Sequence, residues 1–181
     1  MKNMIVCFVL LWPLLANAAE YRTVQTDKSS ITFVSRQMSV PVEGAFKTFS
    51  AQLRFNPEKP AAASAHIVIE LASIDAGSAE ANDEVKGKSW FNVAEFPRAE
   101  FVSTTLKPLG AGKFEASGKM TIKGKTLDVR APFTVQENKG ELKIDGMLQL
   151  NRLAYGIGSG VWSDTSVVAD EVQIKFYLVA K

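Results

Sequence analysis

The chain has 181 residues, with 21 Lys and Arg against 19 Asp and Glu, a net charge of +2, one His and one Cys. That near-neutral balance lacks the basic excess or stripe of a nucleic-acid binder. One imidazole and one thiol are too few for a transition-metal site.

The first element in chain order reads as a targeting segment. Lys2 provides a positive start, Met4–Leu15 is an apolar run interrupted by Pro13, and Ala16-Asn17-Ala18 fits a small-x-small cleavage site. The run is shorter than the roughly 20 apolar residues that span a bilayer. We therefore expect a signal peptide over 1–18, cleavage after Ala18, and an exported domain over 19–181. Cleavage removes Cys7, the only thiol, so the domain is expected to hold together without disulfides. About 160 residues suffice for a single domain with a substantial core.

Strand-like runs follow. Tyr21–Val24 and Ser30–Arg36, with Ile31 and Phe33 inward, open the series. Val42–Phe55 reads as one long stretch with Ala45, Phe49, Ala51, Leu53 and Phe55 on one face. Asn56-Pro57-Glu58-Lys59-Pro60 is a turn by composition. Ala65, Ile67, Ile69 and Leu71 then form the apolar face of a further strand. Ser78–Lys88 breaks the alternation and predicts a short helix ending at Gly87. Trp90-Phe91-Asn92-Val93 and Phe96-Pro97 follow it. Strands resume at Ala99–Lys107, Lys113–Ile122, Leu127–Val135, Glu141–Leu150 and Glu171–Val179, several joined by Gly-containing hairpin turns.

The alternation is clearest near the C-terminus. Leu142, Ile144, Gly146, Leu148 and Leu150 oppose Glu141, Lys143, Asp145, Met147 and Gln149; Val172, Ile174, Phe176 and Leu178 oppose Glu171, Gln173, Lys175 and Tyr177. Period-two alternation gives each strand one dry and one wet face. About eight strands joined mainly by short turns predict an all-β, extended antiparallel up-and-down barrel, with a short helix around 78–88. Closing the sheet also removes exposed edges. A Greek-key sandwich is the alternative.

Catalytic spacing is not evident, and the chain is read as a non-enzyme. His66 and Glu70 lie four residues apart, but on a strand that is roughly 13 Å, too far to act together. Gly156–Gly160 fits neither a Gly-x-Ser-x-Gly elbow nor a dinucleotide fingerprint, since Val161 occupies the place of the third glycine. The carboxylates Asp83, Glu84, Asp164, Asp170 and Glu171 read as solvated surface charge. No catalytic residue, metal ligand or cofactor is expected. The remaining signal is an excess of large apolar residues. A barrel of about eight strands is just wide enough to be filled by side chains or to hold one small ligand.

Two passages carry a family resemblance. One is Ile74-Asp75 followed by Asn82–Val93 and continuing through Phe96–Thr104. The other is Gly118–Thr126 with, later, Asn151-Arg152-Leu153-Ala154-Tyr155-Gly156-Ile157-Gly158. In this order, together with Val42–Phe46, they resemble the YceI family of exported, lipocalin-like lipid-binding proteins across essentially the whole mature chain. The resemblance implies a periplasmic barrel of a Gram-negative bacterium enclosing a long-chain amphiphile, typically polyisoprenoid. The loop over 158–172 resembles the subgroup in which such domains also occur beside membrane cytochromes. Many relatives carry histidine after the first barrel strand, where this chain has Arg36-Gln37-Met38, so no headgroup role carries over from those histidines.

The expected function is therefore binding, storage or transport of an isoprenoid or quinone-like lipid. A ligand-free module partnering a membrane redox protein is the alternative. Phe33, Trp90, Phe91, Phe96, Phe101, Met120, Leu148, Trp162 and Phe176 are the candidate lining residues. Arg36, Arg152 and Tyr155 are candidates for the mouth by position. The implied partner is an amphiphilic lipid; transient membrane contact, a membrane cytochrome and a homodimer are further candidates, and nucleic acid is not expected.

Overall fold

The computed structural model describes residues 20–181, so the expected signal peptide over 1–18 lies outside the described residues. Eleven strands build the fold: β1 (Tyr21–Thr23), β2 (Ser30–Gln37), β3 (Val40–Phe46), β4 (Phe49–Phe55), β5 (Ser64–Glu70), β6 (Ile74–Asp75), β7 (Arg98–Gly110), β8 (Lys113–Ile122), β9 (Lys125–Asn138), β10 (Glu141–Asn151) and β11 (Glu171–Ala180). They form one sheet in the order β1-β4-β5-β7-β8-β9-β10-β11-β2-β3-β6, with every pairing antiparallel. The run from β4 to β11 is up-and-down apart from the short β6, and the sheet curls on itself in a lipocalin-like fold. The strand count exceeds eight partly because β1 and β6 are only three and two residues long.

The stretch Val42–Phe55 is not one strand. It breaks at Lys47-Thr48, and the inward phase changes there. Phe46 pairs with inward Ile31, so Ala45, opposite Thr32, faces out, whereas Phe49, Leu53 and Phe55 face in. Such a slip of one residue flips every following side chain to the other face. It also moves the chain from the β2–β3 hairpin to the far end of the sheet beside β5.

β1 closes one end of the curl. It pairs with β4 on one side, and on the other the amides of Arg22 and Thr23 both donate to the Lys181 carbonyl at 2.9 Å. Inside this end Phe55, Phe114 and Phe133 form an aromatic plug. Phe114 and Phe133 stack at 5.6 Å, and Phe55 meets Phe114 edge-on at 5.4 Å. Such geometries add to the area these rings bury. The opposite end is covered by the helix α1 (Ala79–Lys86) and by the loops over 87–97 and 152–170. Ser78 caps α1, its Oγ accepting from the Ala81 amide at 3.2 Å, and Gly87 ends it. Among the described residues, no helix is long and apolar enough to cross a membrane.

Candidate functional site

Two cavities lie end to end inside the curl. The inner one, about 100 Å³, sits on the aromatic plug and is walled by Phe101, Leu148, Phe176 and Leu178 among others. The outer one, about 500 Å³, runs to the α1 end past Phe33, Phe46, Trp90 and Phe91. Ile69, Met120 and Ile174 line both, so these three side chains form the neck between them. Along β11 the inward row Leu178, Phe176, Ile174 and Val172 follows the wall from end to end. At the rise of an antiparallel strand this is about 20 Å. The volume of the outer cavity falls within the ordinary range for small-molecule sites.

Of the nine candidate lining residues, the structure brings eight to this space. Phe33, Trp90, Phe91 and Trp162 border the outer cavity, Phe101, Leu148 and Phe176 the inner, and Met120 both. Phe96 lies elsewhere. The loop after α1 is knotted by Asn92, whose carbonyl accepts from the amides of Glu95 and Phe96 and whose backbone takes φ = 50°. That knot sends Phe96 back onto the β8–β9 turn, where a Cβ on Gly124 would stand 2.9 Å from its ring.

The three mouth candidates are placed differently from one another. Arg36 alternates with Ser35 and Gln37, which border the outer cavity, so by strand parity it points outward; it is exposed, with its guanidinium on the Ser39 carbonyl. Tyr155 is 2 % exposed, borders neither cavity, and its hydroxyl has no hydrogen-bond partner. Burial pushes this phenol above its ordinary pKa.

Arg152 does border the outer cavity, but its donors are occupied. It is 2 % exposed and donates to five backbone carbonyls: Nε to Ala169, Nη1 to Ile157 and Gly158, Nη2 to Trp162 and Val168. The five distances run from 2.6 to 3.1 Å. A planar fork of fixed donors suits such a cage as a lysine cannot. Gly158 makes the cage possible, because a Cβ there would overlap Nη1 and its φ is +76°. Arg152 therefore ties the long loop over the barrel end and offers no free headgroup donor. Burial pulls its guanidinium pKa down, and Asp170 partly opposes this.

The cage extends into an aromatic latch. Arg152 Cζ lies 5.6 Å from the centre of the Trp90 ring. Trp90 packs against Trp162 at 5.5 Å, and Trp162 Nε1 donates to Glu84 Oε1 on α1 at 2.7 Å. Trp90 Nε1 itself is buried without an acceptor. Glu80 and Glu84, one helical turn apart, stand exposed on the rim with Gln37. Spacing of four on a short helix was the available signal for this pair, but it is shared by any solvated helix face. Phe46 also lines the outer cavity, because β3 runs in the opposite phase to the one the alternation of Val42–Phe55 predicts.

His66 is on the outer wall, hydrogen-bonded to Glu100, while Glu70 pairs with Arg98. Lys123 donates to the Lys88 and Gly156 carbonyls at 2.9 and 2.8 Å, so it ties the turn to the loops. Among the described residues, no group of three His, Cys, Asp or Glu side chains could hold a metal ion.

A model of the YceI-like domain matches residues 23–180. The chain belongs to the YceI-like family. A UPF0312 protein of Shewanella sp. strain W3-18-1 is 31% identical over 120 residues, covering 65% of this chain and 62% of that protein. The aligned part thus spans under two thirds of the length of such YceI-like relatives. Among solved structures, Burkholderia cenocepacia BcnA is 50% identical, with a TM-score of 0.86 over 88% of this chain and 100% of the other. A polyisoprenoid binding domain from Saccharophagus degradans, 17% identical, shares the YceI-like fold with a TM-score of 0.68 over 91% of this chain and 98% of its own.

Proposed function

We propose that the protein binds a long-chain amphiphile of the isoprenoid or quinone-like class, tail inward through the neck and polar end at the α1 rim, and carries or stores it in the periplasm. The observation that carries this is the pair of joined apolar cavities, plugged by Phe55, Phe114 and Phe133 at one end and rimmed by polar groups at the other. The binding of polyisoprenoid by the Saccharophagus domain, which has the same fold, supports it.

Energetics favour capture from water. Each buried carbon group contributes about 0.8 kcal/mol of transfer free energy, and the realised gain for large ligands is about 0.3 kcal/mol per heavy atom. A tail of several isoprene units therefore binds well from water. A bilayer is equally apolar, so exchange between membrane and barrel is nearly balanced, which suits a carrier or store. His66, the only histidine of the chain, lies on the outer wall against Glu100 and faces away from the cavities. We read the protein as a binder and not as an enzyme. The alternative proposal is a ligand-free module that partners a membrane redox protein of the cytochrome type.

Organic extraction of the protein purified from its native host, followed by mass spectrometry, tests the proposal. A long-chain lipid near one per protein is expected. Protein that carries none, and takes none up from isoprenoid-loaded vesicles, would leave a ligand-free interaction module as the better reading.

A further inference from the structure

The inner face of β2 changes character between the plug and the mouth. Ile31, Phe33, Ser35 and Gln37 alternate with Thr32, Val34 and Arg36, so they share that face. The ladder agrees. Ile31 is paired with Phe46 and Phe176, Phe33 with Gly44 and Ile174, and Ser35 with Val42. Ser35, Gln37 and Val42 all border the outer cavity. Below Ser35 every inward position on β2, β3 and β11 is apolar. Ser35 is thus the first hydroxyl met on these strands from the plug, and Gln37 follows it at the rim.

These two residues hold the hydrogen-bond donors that the outer cavity leaves free. The Arg152 guanidinium is spent on five loop carbonyls, and Trp162 Nε1 on Glu84. Trp90 Nε1 is enclosed by the protein and meets nothing in the cavity. Glu80 and Glu84, when ionised, only accept. Ser35, in contrast, is half-buried, and its Oγ is neither enclosed nor bonded within the protein. Gln37 is exposed, and its amide group has no partner among the described residues. A hydroxyl and a primary amide both donate and accept without carrying charge. On an otherwise apolar wall, such groups favour a ligand that returns their hydrogen bonds.

We infer that Ser35 and Gln37 hold the head of the lipid, and that the head they fit is an uncharged ring bearing two acceptor oxygens, a quinone. This rests on the lipid-binding reading above and adds the contacts and the chemical class of the head. Alternate residues of a strand lie about 7 Å apart. The carbonyl oxygens of a quinone stand on opposite sides of one ring. The short Ser35 side chain meets the oxygen nearer the tail, and the longer Gln37 meets the outer one. The tail then runs past Phe33 into the neck at Ile174. A simple alcohol offers a single oxygen and engages one of the two side chains at a time.

A benzoquinone bearing a farnesyl tail, farnesol and the plain hydrocarbon of the same tail form a matched set. Over residues 20–181 Trp90 and Trp162 are the only tryptophans, and both border the outer cavity, so their emission reports binding. The quinone should bind the tightest of the three. Ser35→Ala and Gln37→Ala should each weaken it about threefold to tenfold, the usual worth of one uncharged hydrogen bond, and leave the hydrocarbon unchanged. Ser35→Thr keeps the hydroxyl and should restore most of the loss. Farnesol should lose less to the double variant than the quinone does. A quinone that binds no tighter than the hydrocarbon, that is indifferent to both substitutions, or whose loss the hydrocarbon shares in full would overturn the inference while leaving lipid binding intact. Failure of all three ligands to bind would overturn the lipid reading itself, and the inference with it.

Discussion

The ring of Phe176 occupies the space that a side chain on Gly146 would need. The two residues are paired across β10 and β11, and a Cβ built on Gly146 would overlap Phe176 Cζ. The same device recurs where Phe33 covers Gly44 and where Phe101 covers Gly118. In each case an aromatic side chain on the inner face leans over a neighbouring glycine and does not have to project straight into the lumen. Large apolar residues can then line the wall while space remains between them.

Gly146→Ala should therefore destabilise the fold by about 1–3 kcal/mol, the usual cost of overpacking, and reduce lipid uptake by displacing the Phe176 ring. Combining it with Phe176→Leu should recover part of the stability. A double-mutant cycle by urea unfolding measures this; additive losses would show that the two side chains do not share the space.

Gly146 also shows what could be read in the sequence. Its inward position follows from the alternation along Glu141–Leu150, because period two fixes the face of every residue in an unbroken strand. The alternating strands supplied the barrel wall for that reason, and with it most of the lining side chains. The period is silent on what a glycine makes room for, since that depends on the partner strand. It also fails where a strand breaks: before the corner at Lys47-Thr48 Phe46 faces in and Ala45 out, the reverse of the parity that Phe49, Leu53 and Phe55 follow after it. The mouth was least legible. Arg152 looks like a free cation until the carbonyls of residues 157–169 fold back around it, and no local pattern reports such a closure.

That closure predicts that Arg152→Lys is not conservative. A lysine offers three donors from a single point and cannot reach five carbonyls. Leaving those buried acceptors short of partners should cost about 3 kcal/mol. It should also release the Trp90–Trp162 packing, red-shifting tryptophan emission at temperatures below the melt. Unchanged emission together with unchanged melting would mean that the loop is held by other contacts.

Tyr155 gives the opposite expectation. Its buried hydroxyl makes no hydrogen bond, so Tyr155→Phe removes an unpaired polar group and should leave stability unchanged or raise it by up to about 1 kcal/mol at pH 7. The folded pKa of this phenol is raised by burial. Its neutral form therefore stabilises the fold fully below the unfolded value, about 10, and that contribution falls as pH rises from there through the folded value. The phenylalanine variant should lose less stability than the parent above about pH 10. Coincident alkaline unfolding curves would show that this phenol does not govern the limb.

The acid limb depends on other groups. Hydrogen bonding to Lys28 holds the Glu141 carboxyl below its ordinary range, as Arg54 and then Arg22 do for Glu20 near the β1 closure. A depressed carboxylate stabilises the fold above its unfolded pKa, about 4.3, and this contribution disappears as pH falls through the folded value. Melting temperature should thus be nearly level from about pH 6 to 9 and decline below about pH 4. Glu141→Gln should lower the plateau slightly and make the acid decline shallower. The pairs are solvent-exposed, so raising ionic strength should diminish the difference between variant and parent. An acid decline of identical steepness in both proteins would assign the limb to other carboxylates.

Met120 stands in the neck with Ile69 and Ile174, and it is the most adaptable of the three, unbranched and easily rearranged. Replacing it with phenylalanine puts a stiffer, bulkier group between the two cavities without adding charge. A short amphiphile such as farnesol, which the outer cavity of about 500 Å³ can hold alone, should bind nearly as before. A tail long enough to need the inner cavity should lose about tenfold in affinity, roughly 1.4 kcal/mol. Titrating a series of isoprenoid alcohols of increasing length against parent and variant tests the neck directly. Divergence of the two curves beyond one tail length locates it, whereas a uniform loss at every length would place the tail elsewhere than through Met120.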